Sequence, residues 1–143
     1  MAKAGVGLVI SGSMGEGHHL SSDERQSLIR TARRVLDSAQ PSLAHVPIIA
    51  GTGAGSTRES IRLSREAAEA GADIAIVIIS GYFAAALDKQ ALKAYWTEIA
   101  DKSPIPVLLY NCMYANPLTP IDHISHTQHT YRPRRIRRHR RRL

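Results

Sequence analysis

Residues 5–16 read GVGLVISGSMGE, a short apolar run followed directly by a glycine turn. Continuous β-branched runs of this kind are typical of strands that are buried on both faces of a sheet. A Gly-Ser-x-Gly turn after a strand presents several backbone N–H groups and a hydroxyl to the space above the strand end. Such groups suit a carboxylate or a phosphate. The alternative is a tight connection from strand to helix without a ligand.

Three more apolar runs repeat this pattern, and helix-like stretches separate them. The predicted strands are Val6–Ile10, Val46–Ala50, Ile74–Ile79 and Ile105–Tyr110. The intervals between them fit consecutive strand–helix–strand units of roughly 30 residues. We therefore predict an α/β fold with a parallel sheet, right-handed crossovers and a ligand-binding edge at the carboxyl ends of the strands.

Capping signals mark the starts of two of the three predicted helices. Ser21 with Glu24, and Ser56 with Glu59, have the spacing of a capping box. Gly71 is predicted to end the second helix in a left-handed conformation. The residues at helical spacing that we expect to face the sheet are Leu28, Ile29, Ala32, Val35 and Leu36 on the first helix and Leu92, Tyr95, Trp96 and Ile99 on the third.

The positive charge of the chain is concentrated at its carboxyl end. The formal net charge is +7, but residues 132–143 hold eight of the 19 basic residues and none of the 12 acidic ones. The remainder is therefore near neutral, and a short basic run of this kind is usually solvated. Neither the strand-like apolar runs nor the helical spacing of apolar residues continues past residue 111. We therefore predict a partial β/α domain over residues 1–111 and a disordered His- and Arg-rich tail over residues 112–143.

Composition excludes several classes of protein. Cys112 is the single cysteine, so the fold cannot depend on a disulfide within the chain. The longest apolar run, Ile74–Ile79, is far too short to span a bilayer. The first residues lack the apolar core of a signal peptide. We expect no membrane association and a cytoplasmic location.

Four motifs have competing interpretations. Residues 51–56, GTGAGS, resemble part of a dinucleotide-binding fingerprint, but a tight turn is favoured because Ser56 replaces the third glycine. Glu16, His18 and His19 share one loop and could hold a metal, although adjacent histidines rarely point the same way. The His-x-x-His string at residues 123–129 is interpreted as a solvated loop. Tyr110 ends the fourth predicted strand and is either a proton carrier or a packing residue.

In this order, the motifs resemble the dihydrodipicolinate synthase and N-acetylneuraminate lyase family. Residues 12–16 look like the family's Gly-Thr-Thr-Gly-Glu loop, residues 51–57 like its Gly-Thr-Gly-x-x-Ser-Thr loop, and Tyr110-Asn111 like its Tyr-Asn-x-Pro strand end. The stretch AGAD at residues 70–73 fits as well. The resemblance covers about residues 5–111 and looks closest to the fungal-type and hydroxy-oxoglutarate aldolase branch.

Members of this family are class I aldolases on a TIM (β/α)8 barrel, usually as tetramers. The resemblance thus implies a partial TIM barrel of about four parallel strands and three helices, and it implies self-association. It implies no cofactor and no metal, and it leaves a mitochondrial location open. The Ser13 hydroxyl would link to Tyr110, the catalytic proton shuttle. The residues that would bind the carboxylate of pyruvate or a related 2-oxo acid are Gly12, Ser13, Met14 and Gly15.

The chain also departs from the family pattern. The family's Schiff-base lysine lies about 28 residues past the shuttle tyrosine, where this chain has Arg138, and its last lysine is Lys102. Arginine stays protonated in proteins and cannot form the imine. Met113 replaces the proline of Tyr-Asn-x-Pro. A further family tyrosine, which serves a neighbouring subunit, aligns near residues 82–83. We therefore predict a truncated family member that is inactive on its own.

Two other functions stay open at this point. The first is a non-catalytic fragment whose Arg-rich tail, Arg132–Arg142, binds polyanions. The second is a compact flavodoxin-like ligand-binding domain, which would need five strands where four are visible. A partial barrel leaves one sheet face without cover, and the residues that we expect to be partly exposed for this reason are Ile10, Ile48, Ile76, Val77 and Leu108.

The Arg-rich tail generates the first prediction. Eight arginines within 12 residues should bind heparin or nucleic acid through counterion release, without sequence preference. We expect the full chain to elute from heparin at higher salt than a variant that ends at residue 131. Equal elution salt for the two chains would show that the tail is a solvated segment without this activity.

Overall fold

Strands and helices alternate along the chain as the sequence predicts. A computed structural model describes residues 2–39, 41, 43–79, 81 and 86–110. The strands are β1 (Leu8–Ile10), β2 (Ile48–Gly51), β3 (Ile74–Ile78) and β4 (Val107–Tyr110), and the helices between them are α1 (Ser22–Ala39), α2 (Thr57–Ala70) and α3 (Lys89–Lys102). The predicted tail over residues 112–143 lies outside the described residues, so this division of the chain stays a prediction.

The four described strands form one parallel sheet in the order β1-β2-β3-β4. Each strand lies beside the next one in the chain, so every helix connects two neighbouring strands. A flavodoxin-like sheet has the order 2-1-3-4-5, with a switch in the direction of winding. The sequential order favours a barrel unit over the flavodoxin-like alternative.

The two faces of the sheet differ in burial. The paired positions Leu8, Ile48 and Ala50 on one face pack with the helices in a single core, together with Ala75 and Val77. On the other face Val9 is 57% exposed, and the central strands are only partly buried at alternate positions. One layer of three helices therefore covers one face of the described sheet.

This alternation corrects part of the sequence-based expectation. Ile76 and Leu108 are partly exposed, as expected. Ile10 is also partly exposed, although it pairs with Ala50 and packs against the core on the helix side of the sheet. The expectation was wrong for Ile48 and Val77, which are completely buried beneath the helices. The sequence could not separate these two groups, because a continuous apolar run carries no alternation that marks which side chains face the helices.

Each helix begins at a polar cap. The backbone N–H of Ser21 donates to the Glu24 carboxylate (2.8 Å) and the N–H of Glu24 donates to Ser21 Oγ (3.3 Å), which is the predicted capping box. Ser56 Oγ accepts from Glu59 N at the start of α2. Gly71 ends α2 with φ of 105°, the left-handed conformation that favours glycine.

The predicted apolar faces hold for α3 and only in part for α1. Leu92, Tyr95, Trp96 and Ile99 are all buried, as predicted. On α1 only Ile29 and Leu36 are buried, while Leu28 and Val35 are about half exposed. Two buried residues on α1 are enough because the helix lies over the edge of the described sheet and contacts α2 on one side. None of the described helices has the length and hydrophobicity that crossing a bilayer requires.

An ion pair closes the amino end of the sheet. Arg33 on α1 pairs with Asp73, and the same carboxylate accepts from the backbone N–H of Ile48 (2.9 Å). Arg33 also donates to the carbonyl oxygens of Gly71 (3.2 Å) and Ala44 (3.4 Å). This one arginine therefore connects α1 to the loops that enter β2 and β3.

The uncovered face of the sheet generates the second prediction. Exposed apolar strand surface drives association, so we expect the isolated chain to self-associate, aggregate or lose fixed packing. Sedimentation velocity at several concentrations, with thermal unfolding, measures this. A monodisperse monomer with a sharp two-state melt would contradict the prediction and revive the flavodoxin-like alternative.

Candidate functional site

A cleft of about 340 Å³ opens on the uncovered face at the carboxyl ends of the strands. Its walls come from the loop after β1, from the end of β2, from alternate residues of β3 and from the last residue of β4. All five site residues that the sequence predicts line it, namely Gly12, Ser13, Met14, Gly15 and Tyr110. The fold therefore brings together residues that are nearly 100 positions apart in the chain.

The loop after β1, residues 11–17, closes on itself through backbone hydrogen bonds. The carbonyl oxygen of Gly12 accepts from the N–H groups of Gly15 and Gly17, both at 3.1 Å, and Ser13 accepts from Glu16 N at 3.2 Å. Among the hydrogen bonds of the described residues, none uses the N–H of Ser13 or Met14. Ser13 and Met14 are both exposed, Met14 fully so, and both residues line the cleft.

Ser11 lies at the centre of this turn and was not predicted as a site residue. It has φ of 57°, a left-handed conformation that is uncommon for a residue with a side chain. Its hydroxyl is buried and has no hydrogen-bond partner among the described residues. Backbone strain and an unpaired buried hydroxyl together are typical of functional positions.

Two glycines make the Ser11 turn possible. A Cβ at Gly17 would lie 2.2 Å from the carbonyl oxygen of Ser11, and a Cβ at Gly51 would lie 2.0 Å from the same atom. No side chain fits at either position without a shift of backbone. The end of β1, its loop and the end of β2 are therefore in direct backbone contact.

The loop at residues 51–56 has the geometry of a tight turn. The N–H of Thr52 donates to the carbonyl of Ile76 (3.0 Å) and the N–H of Ala54 donates to Ser60 Oγ (3.0 Å). Ser56 caps α2. Because these groups are engaged within the protein, the loop does not offer the row of free N–H groups that a dinucleotide phosphate needs.

A buried polar network supports this loop from behind. The Tyr95 hydroxyl on α3 lies 3.1 Å from Ser60 Oγ and 3.3 Å from the carbonyl oxygen of Ile78. Ser64 Oγ lies 3.0 Å from Thr52 Oγ1. Burial raises the pKa of Tyr95, against the lowering effect of its hydrogen bonds with Ser60 and Ala54. Tyr95 thus stays protonated and joins α3 to the ends of β2 and β3.

Sequence reasoning missed this network and assigned Tyr95 to packing alone. Ser60 and Ser64 stand four residues apart on α2 and share one helix face with buried alanines. Small polar residues at that spacing on an apolar face were the available signal. No comparable signal marked Ser11.

The remaining predicted features are divided between described and undescribed parts of the chain. His18 lines the cleft, but the described residues contain no cluster of three or more metal-ligating side chains. Several predicted features lie outside the described residues, namely residues 82–83, Asn111, Met113, the histidine string at 123–129 and the Arg-rich tail. The predicted link between the Ser13 hydroxyl and Tyr110 stays a prediction.

Comparison with known proteins agrees with the fold. The dihydrodipicolinate synthetase family model matches residues 2–121, and the chain belongs to this family. It is 44% identical over 112 residues to a protein of Emericella nidulans named probable 4-hydroxy-2-oxoglutarate aldolase, mitochondrial, covering 78% of this chain and 36% of that protein. It is 42% identical over 112 residues to the L-threo-3-deoxy-hexylosonate aldolase of Hypocrea jecorina, with 78% and 35% covered.

Solved structures place the described residues within a larger fold. The chain matches a prophage protein of the dihydrodipicolinic acid synthase family from E. coli K12, solved in complex with pyruvate, with a TM-score of 0.68 and 37% identity. The match covers 80% of this chain and 36% of that one. The chain therefore has the fold of part of a TIM barrel, and it spans about a third of the length of the relatives that it matches.

The close packing around Ser11 generates the third prediction. Gly51→Ala should lower the free energy of unfolding by about 1–3 kcal/mol, because the added methyl group collides with backbone that cannot move away cheaply. Gly55→Ala is the matched control, since a Cβ there meets nothing within 4 Å, and it should change stability by less than about 0.5 kcal/mol. Urea denaturation at one protein concentration measures both, and equal stability of the two variants would contradict the packing argument.

Proposed function

We propose that the cleft binds the carboxylate of a 2-oxo acid such as pyruvate, as the first step of an imine-forming aldolase reaction. The observation that carries this proposal is that Ser13 and Met14 follow a strand end and line one cleft with Tyr110, while their N–H groups make no hydrogen bond among the described residues. Adjacent backbone donors at such a position are suited to an anion. The pyruvate complex of a related family structure supports the same choice of ligand.

The roles proposed for the side chains follow from their chemistry. The Ser13 hydroxyl can donate to the ligand or accept from it, beside the two backbone donors. Tyr110 stands half-buried on the uncovered face, next to Ile78 on the neighbouring strand. A phenol in such a site can pass a proton between the substrate and another polar group. We propose Tyr110 as the proton carrier and Gly12 and Gly15 as the residues that let the loop approach the ligand.

We propose that this chain does not supply the lysine nucleophile of the reaction. An imine needs a lysine that is neutral and held beside the carboxylate site. Lys3 lies in a short turn before β1, and Lys89, Lys93 and Lys102 all lie on α3, on the side of the sheet opposite the cleft. All four are exposed, and none of them lines the cleft. We therefore propose that this chain binds a 2-oxo acid weakly and has no lyase turnover by itself.

The names of the fungal relatives suggest the reaction of the whole protein. One is named as an aldolase of 4-hydroxy-2-oxoglutarate and the other as an aldolase of L-threo-3-deoxy-hexylosonate, and we propose aldol cleavage or condensation of a hydroxylated 2-oxo acid. The proposed location is cytoplasmic, with the mitochondrion as the alternative because one relative is named as mitochondrial. Polyanion binding by Arg132–Arg142 remains a separate prediction from the sequence.

The fourth prediction tests the missing nucleophile. The chain is incubated with pyruvate, reduced with borohydride and analysed by mass spectrometry. We expect no stoichiometric mass increase on any of the four lysines, because none of them reaches the cleft. Complete labelling of a single lysine would assign the full enzyme activity to this polypeptide. A known member of the family that carries the Schiff-base lysine serves as the positive control.

A further inference from the structure

Arg25, in the first turns of α1, donates to three backbone carbonyl oxygens around the cleft. Its Nε donates to Leu20 (3.3 Å), one terminal nitrogen to Gly51 (3.2 Å), and the other to Gly17. Leu20 and Gly17 belong to the chain between β1 and α1, whereas Gly51 ends β2. One half-buried guanidinium thus spans the two segments that meet at Ser11.

The hydrogen bonds of Arg25 go to residues that also take part in the backbone contacts of the loop. Gly17 donates its N–H to the carbonyl oxygen of Gly12 and accepts from Arg25 at its own carbonyl, so it joins the arginine to the beginning of the loop. Gly51 packs against the Ser11 carbonyl, and Arg25 holds Gly51 from the other side. A loop that has only three backbone bonds of its own is thereby attached to the sheet.

Arg25 lines the cleft, and its hydrogen bonds to the described residues all go to backbone carbonyl oxygens. They use three of its five N–H groups, and the planar fork of the guanidinium matches this arrangement as no lysine could. Among the described residues, no carboxylate lies within ion-pair distance of it. Burial lowers the pKa of the Arg25 guanidinium, while the nearby Glu59 raises it.

We infer that Arg25 is a positioning residue that holds the loop at residues 11–17 in its anion-binding conformation against the end of β2. The expected effect of Arg25 on the affinity for a 2-oxo acid rests on the proposed function. Its structural part is independent, because the order of the loop can be measured without a ligand. Arg25 does not touch the substrate in this role, and its effect passes through Gly17 and Gly51.

Arg33 provides a matched control on the same helix. It lies eight residues further along α1 and also donates to two backbone carbonyls, but at the amino end of the sheet. Its removal should cost stability in a similar way without reaching the cleft. A lysine at position 25 keeps the positive charge and loses the fork, so Arg25→Lys separates simple attraction of an anion from the holding of the loop.

The experiment is hydrogen exchange with mass spectrometry on the full chain, in the wild type, R25A, R25K and R33A, with and without pyruvate. Peptides covering residues 11–20 report on the loop, and peptides from α2 and α3 report on the overall fold. Without pyruvate, we expect exchange in the loop to rise about tenfold in R25A and R25K relative to R33A. The pyruvate concentration for half-maximal protection should rise about tenfold in the same two variants.

The outcomes separate the two proposals. If R33A loosens the loop as much as R25A does, or if R25K keeps both loop protection and pyruvate affinity, the positioning role of Arg25 is overturned. If R25A fails to fold, R25K decides the question by the same measurements. If pyruvate protects nothing in the wild type, the proposed function is overturned, while selective loosening by R25K would still establish that Arg25 holds the loop.

Discussion

The geometry of the cleft depends on one backbone contact, the packing of the Ser11 carbonyl against Gly17 and Gly51. The two glycines have no side chain to hold the segments apart, so the chain leaving β1 can turn back directly over the end of β2. Ser11 itself adopts a left-handed conformation to make this turn. The cost of that conformation is of order 1–3 kcal/mol, and it is sustained because the surrounding backbone contacts leave no other arrangement.

The two ends of the sheet use arginines of one helix for different purposes. At the amino end, Arg33 pairs with Asp73 and closes the loops that enter β2 and β3, a purely structural role. At the carboxyl end, Arg25 donates only to backbone carbonyls and leaves the cleft open. This division agrees with the general rule for β/α barrels, in which the amino end supplies stability and the carboxyl end supplies the chemistry. Periodicity on α1 brings both arginines to the same helix face, eight residues apart.

Much of the fold and of the site was predictable because the signals are local. The strands and helices, the Ser21 capping box and the left-handed end of α2 at Gly71 all follow from neighbouring residues, and the structure confirms them. The five predicted site residues line one cleft because the carboxyl ends of parallel strands share an edge. Leu28 and Val35 were wrong as core residues, since helical spacing shows an apolar stripe but not how much of it a neighbouring element covers.

The sequence by itself determined the order of elements, the parallel sheet, the family and the segments that line the cleft, because each depends on short-range patterns or on motifs that can be compared directly. Only the tertiary structure decided which strand residues face the helices, why Ser11 is strained, and that Arg25 and Tyr95 donate hydrogen bonds to the backbone around the cleft. These features depend on contacts between residues far apart in the chain. Their hydrogen bonds go mainly to backbone carbonyls, which every residue possesses, so no pattern of side chains along the sequence predicts them.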